Sequence, residues 1–291
     1  SLGPSGLNGD NRLTEPSPLG ANTMNHITLA DLCVSRLILG GNPFSGFSHQ
    51  SQERDREMRR YYTTARIKQT LREAEKTGID TFIGRTDNHI IRLLEEYWNE
   101  GGRIKWVAQT ASELRTDVAG VERAIAFGAT ACYIHGGRVD YAIANGCAEE
   151  IKTAVDRIRE AGLPAGVAGH NPRVFAWAER ELDCDFYMCC YYNPSDRARR
   201  AAHEPGSTER FDDEDRELMM QTIRGLQRPV IHYKVFAAGR KSPVEAWTHV
   251  ARNLRPQDAV CIGVYTADNP NMIAENVEHF THALHRNVTG A

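Results

Sequence analysis

Between Arg36 and Tyr265 the chain repeats one pattern eight times. A short apolar run rich in β-branched residues is followed by an amphipathic helical segment. The runs are RLILGG, IDTFIG, IKWVAQT, TACYIHG, PAGVAGH, DFYMCCYY, RPVIHYK and AVCIGVY. The helical pattern after the second run, DNHIIRLLEEYWNEGG, ends at glycine, as do DVAGVERAIAFG and CAEEIKTAVDRIREAG. TARIKQTLREAEKTG follows a threonine cap and stops at Gly78. NPRVFAWAEREL, DDEDRELMMQTIRGL, SPVEAWTHVARNL and NPNMIAENVEHFTHAL open with Asn, Asp or Ser. Such strict alternation demands a parallel sheet with helices outside it, and eight units match a (β/α)8 TIM barrel. An open doubly wound sheet would carry a G-x-G-x-x-G turn after its first strand, and LGGNPFSGF lacks that spacing.

Residues 24–291 are expected to form one barrel domain. The Gly-, Pro-, Ser- and Asn-rich stretch 1–23 is expected to be a tag, linker or flexible tail. The 291 residues are 41% hydrophobic and 25% charged, with a net charge of -3. That balance fits a soluble protein and gives no global field to attract nucleic acid or a membrane surface. No apolar stretch reaches the roughly 20 residues of a spanning helix. Seven scattered cysteines, an odd number within apolar runs, imply reduced thiols and a cytoplasmic setting. The expected partner is a small-molecule substrate.

A barrel places its chemistry on the loops after its strands. The residues ending each run are therefore the candidates. His135, His170 and His232 end three different runs at the same rim. Together they are candidate catalytic groups and candidate ligands for zinc, manganese or iron, with Asp87, His89 or Cys190 to complete the set. Lys234 and Asp87 are candidate catalytic groups without a metal. A desolvated lysine can act as base or Schiff-base nucleophile, or it can simply pair with an acid. Arg85 suits a carboxylate or phosphate. Asn42, Arg85, His89, Gln109, Cys190 and Tyr265 are candidate substrate contacts. Arg240 and Lys241 precede the helix opened by Ser242, where barrels often hold phosphate. The stretches SGFSHQSQERDREMRRYYT and NPSDRARRAAHEPGSTERFDDED are long for connections and are expected to be lid loops.

Several of these pieces, in order, resemble the aldo-keto reductase family. LADLCVSRLILGGNPFSG is similar to its opening hairpin and first strand. YIHG stands where that family keeps an active-site histidine, GVAGHNP resembles its G-V-S-N turn, and CCYYNP its Q-x-E-Y-N-P strand end. VIHYKVFAAG and MIAENVEHF resemble its A-Y-S-P-L-x-x-G turn and closing I-x-E-N helix. The resemblance implies a TIM barrel with a short N-terminal β-hairpin. It also implies an Asp, Tyr, Lys and His tetrad, of which His135 alone survives. Ile83 stands at the aspartate position, Thr110 at the lysine position, and no tyrosine follows in RTDNHI. On the cofactor side, Asn171, Tyr233, Glu275 and Asn276 match NAD(P) contacts, while Cys189 replaces the glutamine and Met272 a basic residue.

Loss of the tetrad points away from carbonyl reduction as the family performs it. The first expectation is a lyase, isomerase or hydrolase acting on a small hydroxylated or carbonyl substrate through histidine acid–base chemistry, with or without a metal. The second is an NAD(P)-dependent oxidoreductase with a substituted tetrad. The third is a non-catalytic ligand-binding barrel. In the tripeptide His232-Tyr233-Lys234, strand alternation sets His232 and Lys234 on one side and Tyr233 on the other unless the backbone breaks step.

Overall fold

The computed structural model describes residues 24–111, 114–204 and 207–289; the expectation for residues 1–23 lies outside the described residues. An antiparallel hairpin comes first, β1 (His26–Leu29) and β2 (Leu32–Ser35). Eight parallel strands then close a barrel: β3 (Leu37–Gly40), β4 (Thr81–Arg85), β5 (Lys105–Gln109), β6 (Ala131–Ile134), β7 (Ala165–Gly169), β8 (Phe186–Cys190), β9 (Val230–Tyr233) and β10 (Ala259–Gly263). β10 pairs with both β3 and β9, which leaves the barrel sheet no edge. Each of the eight apolar runs holds one of these strands, so the TIM-barrel expectation and its N-terminal hairpin both stand.

The expected helices are α2 (Thr64–Lys76), α3 (Asn88–Asn99), α4 (Asp117–Ala126), α6 (Ala148–Glu160), α7 (Arg173–Glu181), α8 (Asp213–Gly225), α9 (Pro243–Asn253) and α10 (Met272–Thr289). Their starts follow from local chemistry. Thr63, Asp87 and Ser242 each accept a hydrogen bond from the backbone N–H three residues on. Gly78 stops α2 with a left-handed φ of 90°.

Two helices were not expected. α1 (Gln52–Tyr61) occupies much of the first presumed lid. Ser51 caps it, acids open it, and Arg59 and Arg60 close it, but only Asp55 and Met58 are buried. With so little apolar face, it has end signals and almost no periodicity. α5 (Gly136–Ala144) begins with two glycines and has no side-chain cap, so its start is unmarked. The second long stretch, between β8 and α8, carries no helix among its described residues.

The pleat sorts side chains into two cores. Ile38, Ile83, Val107, Tyr133, Met188 and Ile231 fill the barrel interior. Leu39, Phe82, Trp106, Val167 and Tyr187 pack outward against the helices. The hairpin joins the interior core through Ile27, Leu29 and Val34 and so plugs the end opposite the strand C-termini. Asp80 ties plug to barrel, accepting from the Ser35 backbone N–H at 2.9 Å, Thr81 Oγ1 at 2.6 Å and Lys105 Nζ at 2.8 Å. No described helix is long and apolar enough to cross a membrane.

Candidate active site

At the C-terminal rim lies a cavity of about 220 Å³, continuous with a longer cleft of about 420 Å³. Asn42, Phe47, His49, Arg85, Gln109, Tyr133, Tyr233 and Lys234 border both. The smaller cavity adds His135, His170, Arg197 and His203. The cleft adds Lys241, Tyr265, Met272, Glu275 and Asn276 and runs toward α9 and α10.

The pleat delivers these groups. Ile231 lies in the barrel interior, so its alternation partner two residues on, Tyr233, faces the cavity. His232 must then face outward. It does: Nδ1 lies 2.9 Å from the Tyr191 hydroxyl and Nε2 lies 3.2 Å from Asp258 Oδ2, in a wholly buried seat behind the barrel wall. The three expected histidine ligands are therefore not brought together. His135 and His170 share the cavity, and His232 is a structural residue of the opposite face.

Lys234 ought to follow His232 outward, yet it borders the cavity. Its φ of 57° is the reason: a left-handed residue ends β9 and breaks the alternation. Its stem is partly exposed, but Nζ is buried and has no hydrogen-bond partner among the described residues. Burial lowers its pKa. Cys190 and Glu209 oppose that shift, while Arg197 and Arg240 add to it.

His170 follows β7, and α5 supplies its partner. Asp140 Oδ2 lies 2.7 Å from His170 Nδ1, and the same carboxylate accepts from the backbone N–H groups of His170 and Asn171. An acceptor fixed in this way makes Nδ1 the protonated nitrogen and leaves Nε2 with a lone pair for the cavity. Burial lowers the His170 pKa, and Asp140 partly offsets it. His135 is also held neutral, first by burial and then by Arg197 and His170, and its Nδ1 is buried without a hydrogen-bond partner among the described residues. Gln109 accepts from the Tyr133 hydroxyl at 2.7 Å.

Other expected residues take different places. Asp87 caps α3 through the Ile90 N–H and binds Arg85 Nε at 3.0 Å, and it does not border the cavity. His89 is an exposed residue of α3. Cys190 is fully buried and borders neither cavity, and burial pushes its thiol up to about 11. Arg240 donates to the carbonyls of Ala237 and His49 and stacks on Phe211, outside both cavities. Asn171 accepts from the Arg173 N–H and borders neither cavity. Cys189 packs outward with the helices. Ile83 does line the cleft, but Thr110 does not: it accepts from the His135 N–H, packed against Gly120 of α4. Gln109 is the cavity-facing residue of that strand end.

The sequence reading did not single out Asp140, Tyr133, Arg197, His49 or His203. His49 Nδ1 lies 2.9 Å and His203 Nδ1 3.4 Å from the two oxygens of Glu209, and both histidines are walls of the cavity. The β8–α8 stretch reaches this place because Gly137 lets it close in. A Cβ on Gly137 would stand 2.1 Å from the Ala201 carbonyl oxygen.

No family model and no curated protein sequence matches the chain. Solved structures do match. A candidate aldo-keto reductase from Pseudomonas aeruginosa superposes with a TM-score of 0.56 at 18% identity, covering 89% of this chain and 94% of the other. The chain folds as a divergent aldo-keto-reductase-like barrel. A candidate 2,5-diketo-D-gluconic acid reductase B gives 0.53 at 13% identity, over 92% and 91% of the two chains. A 3-hexulose-6-phosphate synthase from Salmonella typhimurium gives 0.50 at 12% identity, over 87% and 99%. At these identities the likeness is one of fold, and the site must speak for the chemistry.

Proposed function

We propose that this aldo-keto-reductase-like barrel is an enzyme that moves a proton at a small, polar carbonyl or hydroxylated substrate, as a lyase or isomerase does. The observation that supports it is the pair Asp140–His170 in the cavity shared with Lys234, whose buried Nζ has no hydrogen-bond partner among the described residues. His170 Nε2 takes a proton from the carbon next to the carbonyl, and the electron pair moves onto the carbonyl oxygen. An oxyanion forming beside Lys234 restores the ammonium state that burial disfavours, so the lysine binds the transition state better than the ground state. Arg85 and Arg197 suit a carboxylate or phosphate elsewhere on the substrate.

Proton NMR in D2O tests this with a panel of small hydroxyketones, aldoses and keto acids. The expected result is exchange of the α-proton, reduced about 10²–10⁴-fold in His170→Asn. Borohydride trapping at Lys234 would show instead that the lysine adds covalently to the carbonyl. No exchange with any compound, together with no trapping, overturns the proposal in favour of a non-catalytic binding barrel.

A second reading, NAD(P)-dependent oxidation or reduction, is favoured by the longer cleft. Lys241, Glu275 and Asn276 line it, and it leads to Tyr233. These residues fit the nucleotide end of a dinucleotide. Those matched to the carboxamide end, Asn171 and Cys189, do not face the cleft. Fluorescence titration with NADH and NADPH checks it; no quenching at millimolar cofactor removes it.

A further inference from the structure

The cavity mouth is closed by two segments far apart in sequence, the β3–α1 turn bearing His49 and the β8–α8 stretch bearing His203 and Glu209. These three side chains meet with their ligand atoms all within 4.8 Å of one another. The two imidazole Nδ1 atoms approach different oxygens of one carboxylate, at 2.9 and 3.4 Å. Two ligands at 2.0–2.1 Å on one tetrahedral ion stand about 3.3 Å apart. Each imidazole nitrogen stands near that distance from the carboxylate, and all three ligand atoms lie within 4.8 Å.

The site is also built rather than solvent-held. The side chains of His49, His203 and Glu209 are 10%, 14% and 3% exposed. Glu209 Oε1 is buried and has no aligned hydrogen bond among the described residues, despite His203 at 3.4 Å. A carboxylate oxygen left that way inside a protein is costly unless something else binds it. The His49 backbone is left-handed, φ 56°, its carbonyl is held by Arg240, and its ring meets that of His203 edge-on at 4.6 Å.

We propose that His49, His203 and Glu209 bind a divalent transition-metal ion that clasps the two segments over the cavity. Two imidazoles and one carboxylate suit zinc, iron(II) or cobalt(II) better than calcium or magnesium, which want oxygen alone. Three protein ligands leave coordination positions free. Because both histidines are cavity walls, those positions face the substrate space. This site differs from the His135–His170–His232 set expected from sequence, and it stands whether or not His170 is the base.

The test uses the full chain, stripped with chelator and titrated calorimetrically with Zn²⁺ and, for its visible spectrum, with Co²⁺. The expected result is one equivalent bound, with ligand-field bands of a low-coordinate nitrogen–oxygen site. Glu209→Gln and His203→Asn should each weaken binding at least tenfold, while His89→Ala leaves it unchanged. Circular dichroism verifies that the variants fold. Zn²⁺ should also protect 191–212 from limited proteolysis in the parent protein but not in Glu209→Gln. Absence of a stoichiometric site overturns the proposal. So does binding that survives both substitutions or is lost in His170→Asn instead. Every readout is binding or protection, so failure of the acid–base reading leaves the result intact.

Discussion

His232 separates a structural from a chemical role most sharply. Its imidazole bridges the Tyr191 hydroxyl at 2.9 Å and Asp258 at 3.2 Å, with no exposed surface. His232→Ala strips both contacts and opens a void. A buried hydroxyl left without its partner costs about 1–3 kcal/mol. Asp258 loses less, because Arg255 Nε at 2.8 Å and the Val230 N–H at 2.9 Å still satisfy it. Adding the cavity, the total is about 3–5 kcal/mol. In a domain of roughly 270 residues each kcal/mol moves Tm by about 2 °C, so the expected loss is about 6–10 °C. His232→Phe refills the volume without the hydrogen bonds and should recover part of the loss. Thermal and urea unfolding followed by circular dichroism measure both. The metal-ligand and catalytic readings of His232 require the reverse pattern. An unchanged Tm, with metal binding or turnover abolished, would refute the placement argument.

Three further outcomes follow from the same geometry. Asp140 is a positioning residue, so Asp140→Asn should slow α-proton exchange by a factor close to that of His170→Asn, and the double variant should be hardly slower, as rate measurements on all three will show. Lys234→Gly relaxes a left-handed φ worth about 1 kcal/mol and removes an unpaired buried amine, so Tm should hold or rise while exchange is lost; a drop of more than 4 °C would refute it. Asp80 is opposed by burial but held down to about 2 by Lys105, Thr81 and Ser35, below its ordinary 3.8. Its stabilisation is therefore complete above pH 4 and lost as pH falls toward 2, worth about 1 kcal/mol after solvent screening. Asp80→Asn should be less stable at neutral pH by about that amount, with a flatter acid limb in urea unfolding between pH 4 and 2.

The barrel was legible because periodicity reports a two-phase solvent problem. Each strand run is apolar on both faces, each helix on one, and caps such as Thr63 and Ser242 mark their starts. The site was only partly legible. The rim rule placed His135, His170, Gln109, Tyr233 and Lys234 at the cavity, as the structure has them. What it could not fix was which parity of each strand faces inward, hence the misplacement of His232. Parity is set by packing of the whole barrel: Ile231 enters the interior only because Met188 beside it does too. Asp140 was hidden in a helix with no cap, and the His49–His203–Glu209 contact spans 160 residues of chain with no local spacing to betray it.

The left-handed Lys234 changes how many groups one strand can offer. A pleated strand presents every second residue to the barrel mouth, which rations each strand to one terminal side chain. By turning the backbone at its last step, β9 presents two neighbours at once, Tyr233 and Lys234. An aromatic wall and an amine thus share one place on the rim. The lysine's direction is then written in a torsion angle, so a substitution that preserves chemistry but rejects that angle would lose the amine's position as surely as deleting it.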